Sequence, residues 1–141
     1  MSDQNDPPVI VEHEDHAAIL TLNRPAKKNA MSDALLEKLI AAITDANHNE
    51  DIRAIVLKGA GSCFTSGRDT SQFEQAALLQ DMSIDAAVDI FLETLSMLIE
   101  SPKPTIASIH GMALGGGQAM SLACDFVVAE RDTRFGNVEM V

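Results

Sequence analysis

The chain has 141 residues, of which 46% are hydrophobic and 22% are charged, and its formal net charge is -11. This composition is typical of a single globular domain, because a chain of this size buries about two thirds of its unfolded surface. The acidic balance disfavours nonspecific nucleic-acid binding, since a phosphate backbone is held mainly by clustered Lys and Arg and only ten such residues are present. An anionic ligand would instead need local features such as helix N-termini and backbone N–H groups.

The N-terminus and the cysteines favour a reducing, cytoplasmic location. The first eight residues, MSDQNDPP, lack the basic start and apolar run of a secretory signal, so we expect a disordered segment over residues 1–8 and one folded domain over 9–141. Cys63 and Cys124 form no CxxC pair, which predicts neither a disulfide framework nor a metal site. The most apolar long window, residues 109–129, contains His, Gln, Asp and four glycines, so it is a poor membrane span.

The first half of the chain alternates strand and helix patterns. Residues 9–11 and 17–22 are β-prone runs around a polar centre, which predicts a hairpin. Ser32 can cap a helix whose apolar residues recur at helical spacing to about Ala46. The apolar, β-branched run at residues 52–57 predicts a parallel strand that is buried on both faces.

The second half repeats this alternation. Residues 85–99 carry an apolar helical stripe that two prolines stop, and residues 105–109 form the next predicted strand. A glycine-rich turn then leads into a short helix through Ala123, and residues 126–129 form a further strand. The order of strand, helix, strand, helix and strand predicts an α/β fold.

Two glycine-containing segments could bring backbone donors to a ligand. Residues 59–69 place a flexible turn directly after a buried strand, but this segment alone is a weak signal and favours an ordinary strand-to-loop turn with an Asx cap at Asp69. The three glycines at 115–117 begin a helix, where unpaired N–H groups and the positive end of the helix dipole collect. Close approach of a ligand and tight helix–strand packing both explain these glycines. The segment is not a Walker loop, because no Gly-Lys-Ser/Thr follows it.

Several stretches, in sequence order, resemble the crotonase (enoyl-CoA hydratase/isomerase) family. They run from about residue 9 to the end of the sequence, whereas members of this family normally continue well past that point. The chain therefore resembles the N-terminal part of a longer domain. The matching stretches are Leu22-Asn23-Arg24-Pro25, Asn29-Ala30-Met31-Ser32, Arg53-Ala54-Ile55-Val56-Leu57-Lys58-Gly59-Ala60-Gly61, Phe64-Thr65-Ser66-Gly67-Arg68-Asp69, Pro102-Lys103-Pro104-Thr105-Ile106-Ala107, Gly111 with Ala113-Leu114-Gly115-Gly116-Gly117, and Phe135-Gly136.

The resemblance implies a spiral of ββα units that ends before the family's C-terminal helical region. It also implies an extended pocket for an acyl-CoA thioester, with no cofactor beyond the coenzyme A of the substrate, no metal, and assembly as a homotrimer or hexamer. The oxyanion hole would consist of the backbone N–H groups of Arg68 and Gly116. Lys27 and Lys28 could meet phosphate or could be solvated surface charges. The positions matched to substrate or CoA contacts are Ala26, Lys28, Ser66, Gly67, Asp69 and Thr70.

The departures from the family pattern bear on the reaction. Hydratases of the family use two glutamates, and the corresponding positions here hold Ala119 and Glu139. Adding water across a double bond needs acid and base groups that alanine does not offer, so a standard hydratase is disfavoured. A single carboxylate suffices to move a proton and shift a double bond, which resembles the Δ3,Δ2-enoyl-CoA isomerases. The usual proline before this glutamate is replaced by Val138.

Three functional hypotheses follow from these observations. The leading one is an enoyl-CoA isomerase with Glu139 as the shuttle base and the Arg68 and Gly116 amides holding the enolate. A second is another crotonase reaction, such as hydration with a displaced acid. A third is a CoA-binding or oligomerisation module without catalysis.

Overall fold

The computed structural model describes residues 5–71, 74 and 83–137, with the backbone alone for 83–89. The α/β fold predicted from the sequence is confirmed. In chain order the strands and helices are β1 (Val9–Glu14), β2 (Ala17–Leu22), a 3₁₀ turn (Pro25–Lys27), α1 (Asp33–His48), β3 (Ala54–Gly59), α2 (Ser83–Ile99), β4 (Thr105–Ile109), β5 (Met112–Leu114), α3 (Gly116–Ala123), β6 (Phe126–Ala129) and β7 (Arg134–Gly136).

The main sheet has five strands in the order β1-β2-β3-β4-β6. β1 and β2 form the predicted antiparallel hairpin, and every later pairing is parallel. One face forms the core, where Leu20, Leu57 and Ala107 share a row across three strands. On the opposite face Val56 is half-buried, so β3 is less covered there than its apolar sequence predicts.

The helix α1 begins as the sequence predicts. The Ser32 hydroxyl accepts a hydrogen bond from the Leu35 amide at 3.2 Å, which satisfies one of the N–H groups that a helix leaves unpaired at its start. The helix extends two residues beyond the predicted end at Ala46, to His48. There the Lys103 ammonium donates to the Ala46 carbonyl at 2.6 Å and so stabilises the C-terminal end of the helix.

A second, smaller sheet was not predicted from the sequence. β5 and β7 pair in parallel, and two isolated bridges, Met31 with Arg68 and Thr65 with Ala113, extend this layer. Strands of three residues are too short to show an alternating pattern, so they escape detection by periodicity. The layer carries the loops that the family resemblance assigns to the substrate.

The strand β6 lies at the edge of the main sheet and is exposed along its whole length. Val127 continues the core row of Leu20 and Leu57, yet it is 41% exposed while those two are 0% and 1% exposed. Leu122 on α3 and Phe126 are exposed beside it. The described part of the chain therefore leaves one edge of its core uncovered. None of the described helices is both long and apolar enough to cross a bilayer.

Candidate active site

Asn29 joins the two loops that follow β2 and β3. It lies fully buried in the left-handed region, at a φ of 53°, a conformation that asparagine adopts more readily than most residues. Its side-chain amide donates to the carbonyls of Ala60, Cys63 and Phe64 at 2.8, 2.9 and 3.1 Å. Its side-chain oxygen accepts from the Arg24 amide at 2.8 Å. Sequence reasoning gave Asn29 no role, although an asparagine within a matched stretch, a residue type that adopts left-handed backbone, was the available signal.

The backbone around Arg68 fixes the direction of its N–H group. The Gly67 carbonyl accepts from the Met31 amide at 2.8 Å, and the Asp69 amide donates to the Met31 carbonyl at 3.1 Å. The peptide bonds described are all trans, so the C=O and N–H of one peptide unit point in opposite directions. The Arg68 N–H therefore points away from Met31.

The backbone around Gly116 fixes the second donor in the same way. Gly116 is the first residue of α3, where an α-helix offers no intrahelical acceptor for an N–H and the helix dipole is positive. The Gly115 carbonyl accepts from the Ala119 amide at 3.2 Å, inside the helix. Because the peptide is trans, the Gly116 N–H points outward from the helix start.

The two segments touch at these residues. A Cβ placed on Gly67 would lie 2.8 Å from the Leu114 carbonyl oxygen and 3.6 Å from the Gly116 amide nitrogen, and Gly67 has a φ of 105°. A Cβ on Gly116 would lie 3.4 Å from Cγ of Arg68. Only glycine fits at Gly67, so the sequence permits a close approach of the two segments that carry the expected donors.

Packing explains two glycines of the triplet. A Cβ on Gly117 would lie 2.5 Å from Cγ2 of Thr65, and a Cβ on Gly116 would lie 3.0 Å from Cζ of Phe91 and 3.1 Å from Cε of Met31. Gly116 also carries an outward-pointing donor at the helix start. The Asx cap proposed for Asp69 is also present, since the carboxylate accepts from the amide and hydroxyl of Ser71 at 3.2 and 2.6 Å.

Ion pairs flank the Arg68 segment. The Arg68 guanidinium donates to the Met31 carbonyl and to Asp33, both at 2.9 Å, and lies 5.9 Å from the centre of the Phe91 ring. The Arg24 guanidinium donates to Asp69 at 3.0 Å. The hydrogen bond from the Ser71 hydroxyl, together with Arg24, lowers the pKa of the Asp69 carboxyl. These side chains are engaged in holding the loop.

A groove of about 460 Å³ opens along the segment that joins β2 to α1. Its lining includes Arg24, Ala26, Lys27 and Ser32. Of the residues matched to CoA contacts, Ala26 lies in the groove wall. Lys28 is exposed and left-handed, and its carbonyl accepts from the Ser66 amide at 2.9 Å.

The remaining predicted positions are placed as follows. Ser66, Gly67 and Asp69 flank Arg68, and Thr70 is exposed just beyond them. Glu139 lies outside the described residues. Within the described ranges no group of three or more His, Cys, Asp or Glu side chains could hold a metal ion.

The chain approaches the Glu139 region from beside the glycine triplet. β7 runs parallel to β5, and the Gly136 carbonyl accepts from the Gly115 amide at 2.8 Å. Ala119, the position that holds a glutamate in hydratases of the family, is half-buried on α3.

Cys63 also lies near the site, but burial raises the pKa of its thiol, so it is a poor nucleophile.

Comparison with known proteins identifies relatives of this fold. The chain is 31% identical to a short-chain-enoyl-CoA hydratase of Clostridium acetobutylicum over 133 residues, covering 94% of this chain and 50% of the relative. It is 33% identical to the mitochondrial Delta(3,5)-Delta(2,4)-dienoyl-CoA isomerase of Mus musculus over 135 residues, covering 89% and 41%. The crystal structure of an enoyl-CoA hydratase from Bacillus anthracis superposes with a TM-score of 0.85 at 35% identity, covering 94% and 51%.

These comparisons confirm the crotonase fold and the resemblance to the N-terminal part of a longer domain. The chain spans about half the length of the relatives it matches. The relatives include both a hydratase and an isomerase, so they establish the family without selecting between the two reactions. Residues 12–141 match the family described as enoyl-CoA hydratase/isomerase, and the chain belongs to that family.

Proposed function

We propose that the protein binds an acyl-CoA thioester and stabilises the enolate formed when a proton leaves the carbon next to the thioester. The observation that carries this proposal is the contact between the Arg68 and Gly116 segments, each of which directs an N–H away from its own hydrogen-bonded neighbours. Two such donors on segments in contact would match the needs of a thioester oxygen that becomes negatively charged.

The energy involved is large enough to matter for catalysis. A fixed donor costs no reorganisation at the moment of reaction, and losing one typically costs about 3 to 4 kcal/mol of transition-state stabilisation. The positive end of the α3 dipole at Gly116 adds to the attraction for the oxyanion. The overall charge of -11 makes such local features necessary for an anionic ligand.

The finer proposal is a shift of the double bond from C3 to C2 of an enoyl-CoA. Glu139 would accept a proton from C2, giving a dienolate held by the two amides, and would return that proton to C4. Ala119 supports this reaction over hydration, because it offers no group to activate water. The position of Gly136 beside Gly115 also supports a carboxylate three residues later in the chain acting near the donors.

Hydration is the enzymatic alternative, and the similarity to the Clostridium acetobutylicum hydratase favours it. A CoA-binding or oligomerisation module without catalysis is the other alternative. The exposed apolar edge at β6 favours this last function, because such surfaces mark interaction sites.

Two parallel incubations separate these possibilities. The protein is mixed with a 3-enoyl-CoA in one and a 2-enoyl-CoA in the other, and the conjugated thioester is followed by its ultraviolet absorbance. An isomerase forms conjugated product from the first substrate, whereas a hydratase removes conjugation from the second. Binding of both by calorimetry without either change would support the non-catalytic module, and absence of binding would refute the proposal.

We also propose a homotrimeric or hexameric assembly, because closed symmetric oligomers are the common way to cover exposed apolar surface. Leu122, Phe126 and Val128 are each more than half exposed. Light scattering tests this assembly, and a strictly monomeric mass at micromolar concentration would contradict it.

A further inference from the structure

Two ion pairs cross between the segment at residues 24–33 and the segment at 67–69. Arg24 on the first segment donates to Asp69 on the second at 3.0 Å. Asp33 on the first accepts from Arg68 on the second at 2.9 Å. Each segment therefore contributes one cation and one anion to the two pairs. The pairs thus hold two consecutive residues, Arg68 and Asp69.

The partners of these pairs are not equally exposed. The side chains of Arg68 and Asp69 are 13% and 15% exposed, whereas those of Asp33 and Arg24 are 39% and 26% exposed. Pairs between fully exposed charges contribute little to stability. Here one partner of each pair is largely shielded from water, and the guanidinium of Arg68 also donates to the Met31 carbonyl. This planar, two-point contact fixes orientation as well as distance.

The two amide donors differ in how their backbones are held. Gly116 belongs to α3, and the next residue, Gly117, packs directly on Thr65. Arg68 belongs to no strand or helix and is joined to Met31 by a single bridge. A donor must be held within about 0.5 Å of its productive position, and a loop reaches this precision only with supporting contacts.

We propose that Asp33 and Arg24 are positioning residues that hold the Arg68 amide in the orientation needed to polarise a thioester carbonyl. Neither residue touches the reacting atoms in this account. They act through Arg68 and Asp69, and the inference rests on the proposed function of the two amides. Asp33 directs the Arg68 side chain toward the start of α1, and Arg24 anchors the next residue along the chain.

The polarisation of a bound carbonyl reports on this role without requiring turnover. Hexanoyl-CoA carrying ¹³C at the thioester carbon is bound at saturation, and the shift of its carbonyl stretch is recorded by isotope-edited infrared spectroscopy. Calorimetry gives the affinity separately. The variants are Asp33→Ala and Arg24→Lys, the second of which keeps a positive charge beside the groove. Asp45→Ala is the matched control, since it removes an exposed acidic charge from the same helix far from Arg68.

The expected result is a lower-frequency carbonyl stretch in the parent protein and a shift reduced by about half or more in both variants. The affinity should stay within about threefold, and Asp33→Ala should bind no more weakly than the parent because it removes a negative charge near an anionic ligand. The Asp45→Ala protein should match the parent in the carbonyl shift. A purely structural role for the ion pairs would lower the melting temperature without changing this shift.

Each other outcome contradicts the inference in a recognisable way. A full carbonyl shift in folded Asp33→Ala and Arg24→Lys proteins would overturn it and leave the proposed function standing. A parallel loss of affinity in both variants would place these residues in ligand binding instead. A parent protein that binds hexanoyl-CoA without any carbonyl shift would refute the oxyanion hole itself, and the positioning role with it. If Asp33→Ala fails to fold, the Arg24→Lys protein decides the question.

Discussion

Replacing Gly117 with alanine should destabilise the contact between α3 and the segment that carries Arg68. The added Cβ would lie 2.5 Å from Cγ2 of Thr65 and 3.2 Å from the Thr65 carbonyl oxygen. Carbon atoms in contact prefer a separation of about 3.5 to 4.0 Å, so one of the two segments must move by about 1 Å. Thr65 is fully buried and cannot turn aside. Overpacking of this kind costs about 1 to 3 kcal/mol of unfolding free energy.

Shortening the Thr65 side chain should relieve the clash between an added Cβ at position 117 and Cγ2 of Thr65. Thr65→Ser removes the methyl group but keeps the hydroxyl, which donates to the Asn29 carbonyl at 2.7 Å and accepts from the Gly67 amide at 3.0 Å. Alone, this change should cost about 1 kcal/mol for the lost buried methyl. In the Thr65→Ser background, Gly117→Ala should cost at least about 1 kcal/mol less than in the parent.

Urea unfolding of the four proteins, followed by circular dichroism, measures this coupling, provided that the denaturant dependence of the unfolding free energy is unchanged. Additive effects of Gly117→Ala and Thr65→Ser would refute the packing explanation of Gly117. So would a Gly117→Ala protein as stable as the parent.

Three further predictions concern the supporting contacts. Asn29→Ala should lower the unfolding free energy by about 3 kcal/mol or more, since buried carbonyls lose their donor, and a loss under about 1 kcal/mol in urea unfolding would contradict this. The Ser71 hydroxyl and Arg24 lower the pKa of the Asp69 carboxyl. At pH values above the ordinary pKa of 3.8, the ionised carboxylate therefore stabilises the folded state, and this stabilisation is lost as the pH falls through the lowered pKa. The stability difference between the parent and Asp69→Asn should therefore be smaller at pH 3 than at pH 7, and urea unfolding at both pH values checks it. Burial raises the pKa of Cys63, and it raises the pKa of Cys124 to about 11, so both thiols stay neutral at pH 8. Iodoacetamide should then label them only after unfolding, and labelling of the native protein at the rate of free cysteine would disprove it.

The long elements could be predicted from the sequence because their burial is periodic. The apolar spacing in α1 and the alternation in β2 follow from one face of each element packing on a common core. The Ser32 cap is a local interaction and is likewise visible in the sequence. The boundaries of α1 and β3 differ by about two residues from the predicted ones, as is usual at fraying ends.

The second sheet could not be predicted, because its strands are short and its pairings join distant segments. Met31 meets Arg68 and Thr65 meets Ala113 through single bridges that leave no sequence pattern. The crossed ion pairs depend on these same pairings, since Asp33 and Arg68 are far apart in the chain. Long-range contacts of this kind follow from the fold and become visible only in three dimensions.

The expected donors, the amides of Arg68 and Gly116, are predicted from the resemblance to the family, and their backbone orientation follows from the structure. The sequence showed glycines beside the positions of Arg68 and Gly116, but it could not show that Gly67 closes on Leu114 and brings the two segments together. The role of Glu139 stays a prediction. Proton transfer by Glu139 depends on the oxyanion hole, because a carboxylate can remove the proton next to the thioester only when the enolate oxygen is held by hydrogen-bond donors.

The measurement that tests the central claim most directly is loss of the C2 protons of a 3-enoyl-CoA in deuterium oxide, followed by nuclear magnetic resonance. The parent protein should remove a C2 proton and form the 2-enoyl-CoA, and deuterium should enter whenever the protonated Glu139 exchanges with solvent before it delivers the proton. The Glu139→Gln protein should do both at least about a hundredfold more slowly, with nearly unchanged affinity for CoA thioesters, because the amide keeps the size of the side chain and lacks the basic oxygen. A parent protein that binds the thioester without exchanging or isomerising it would contradict enolate stabilisation. Wild-type exchange in Glu139→Gln would contradict the role given to this residue.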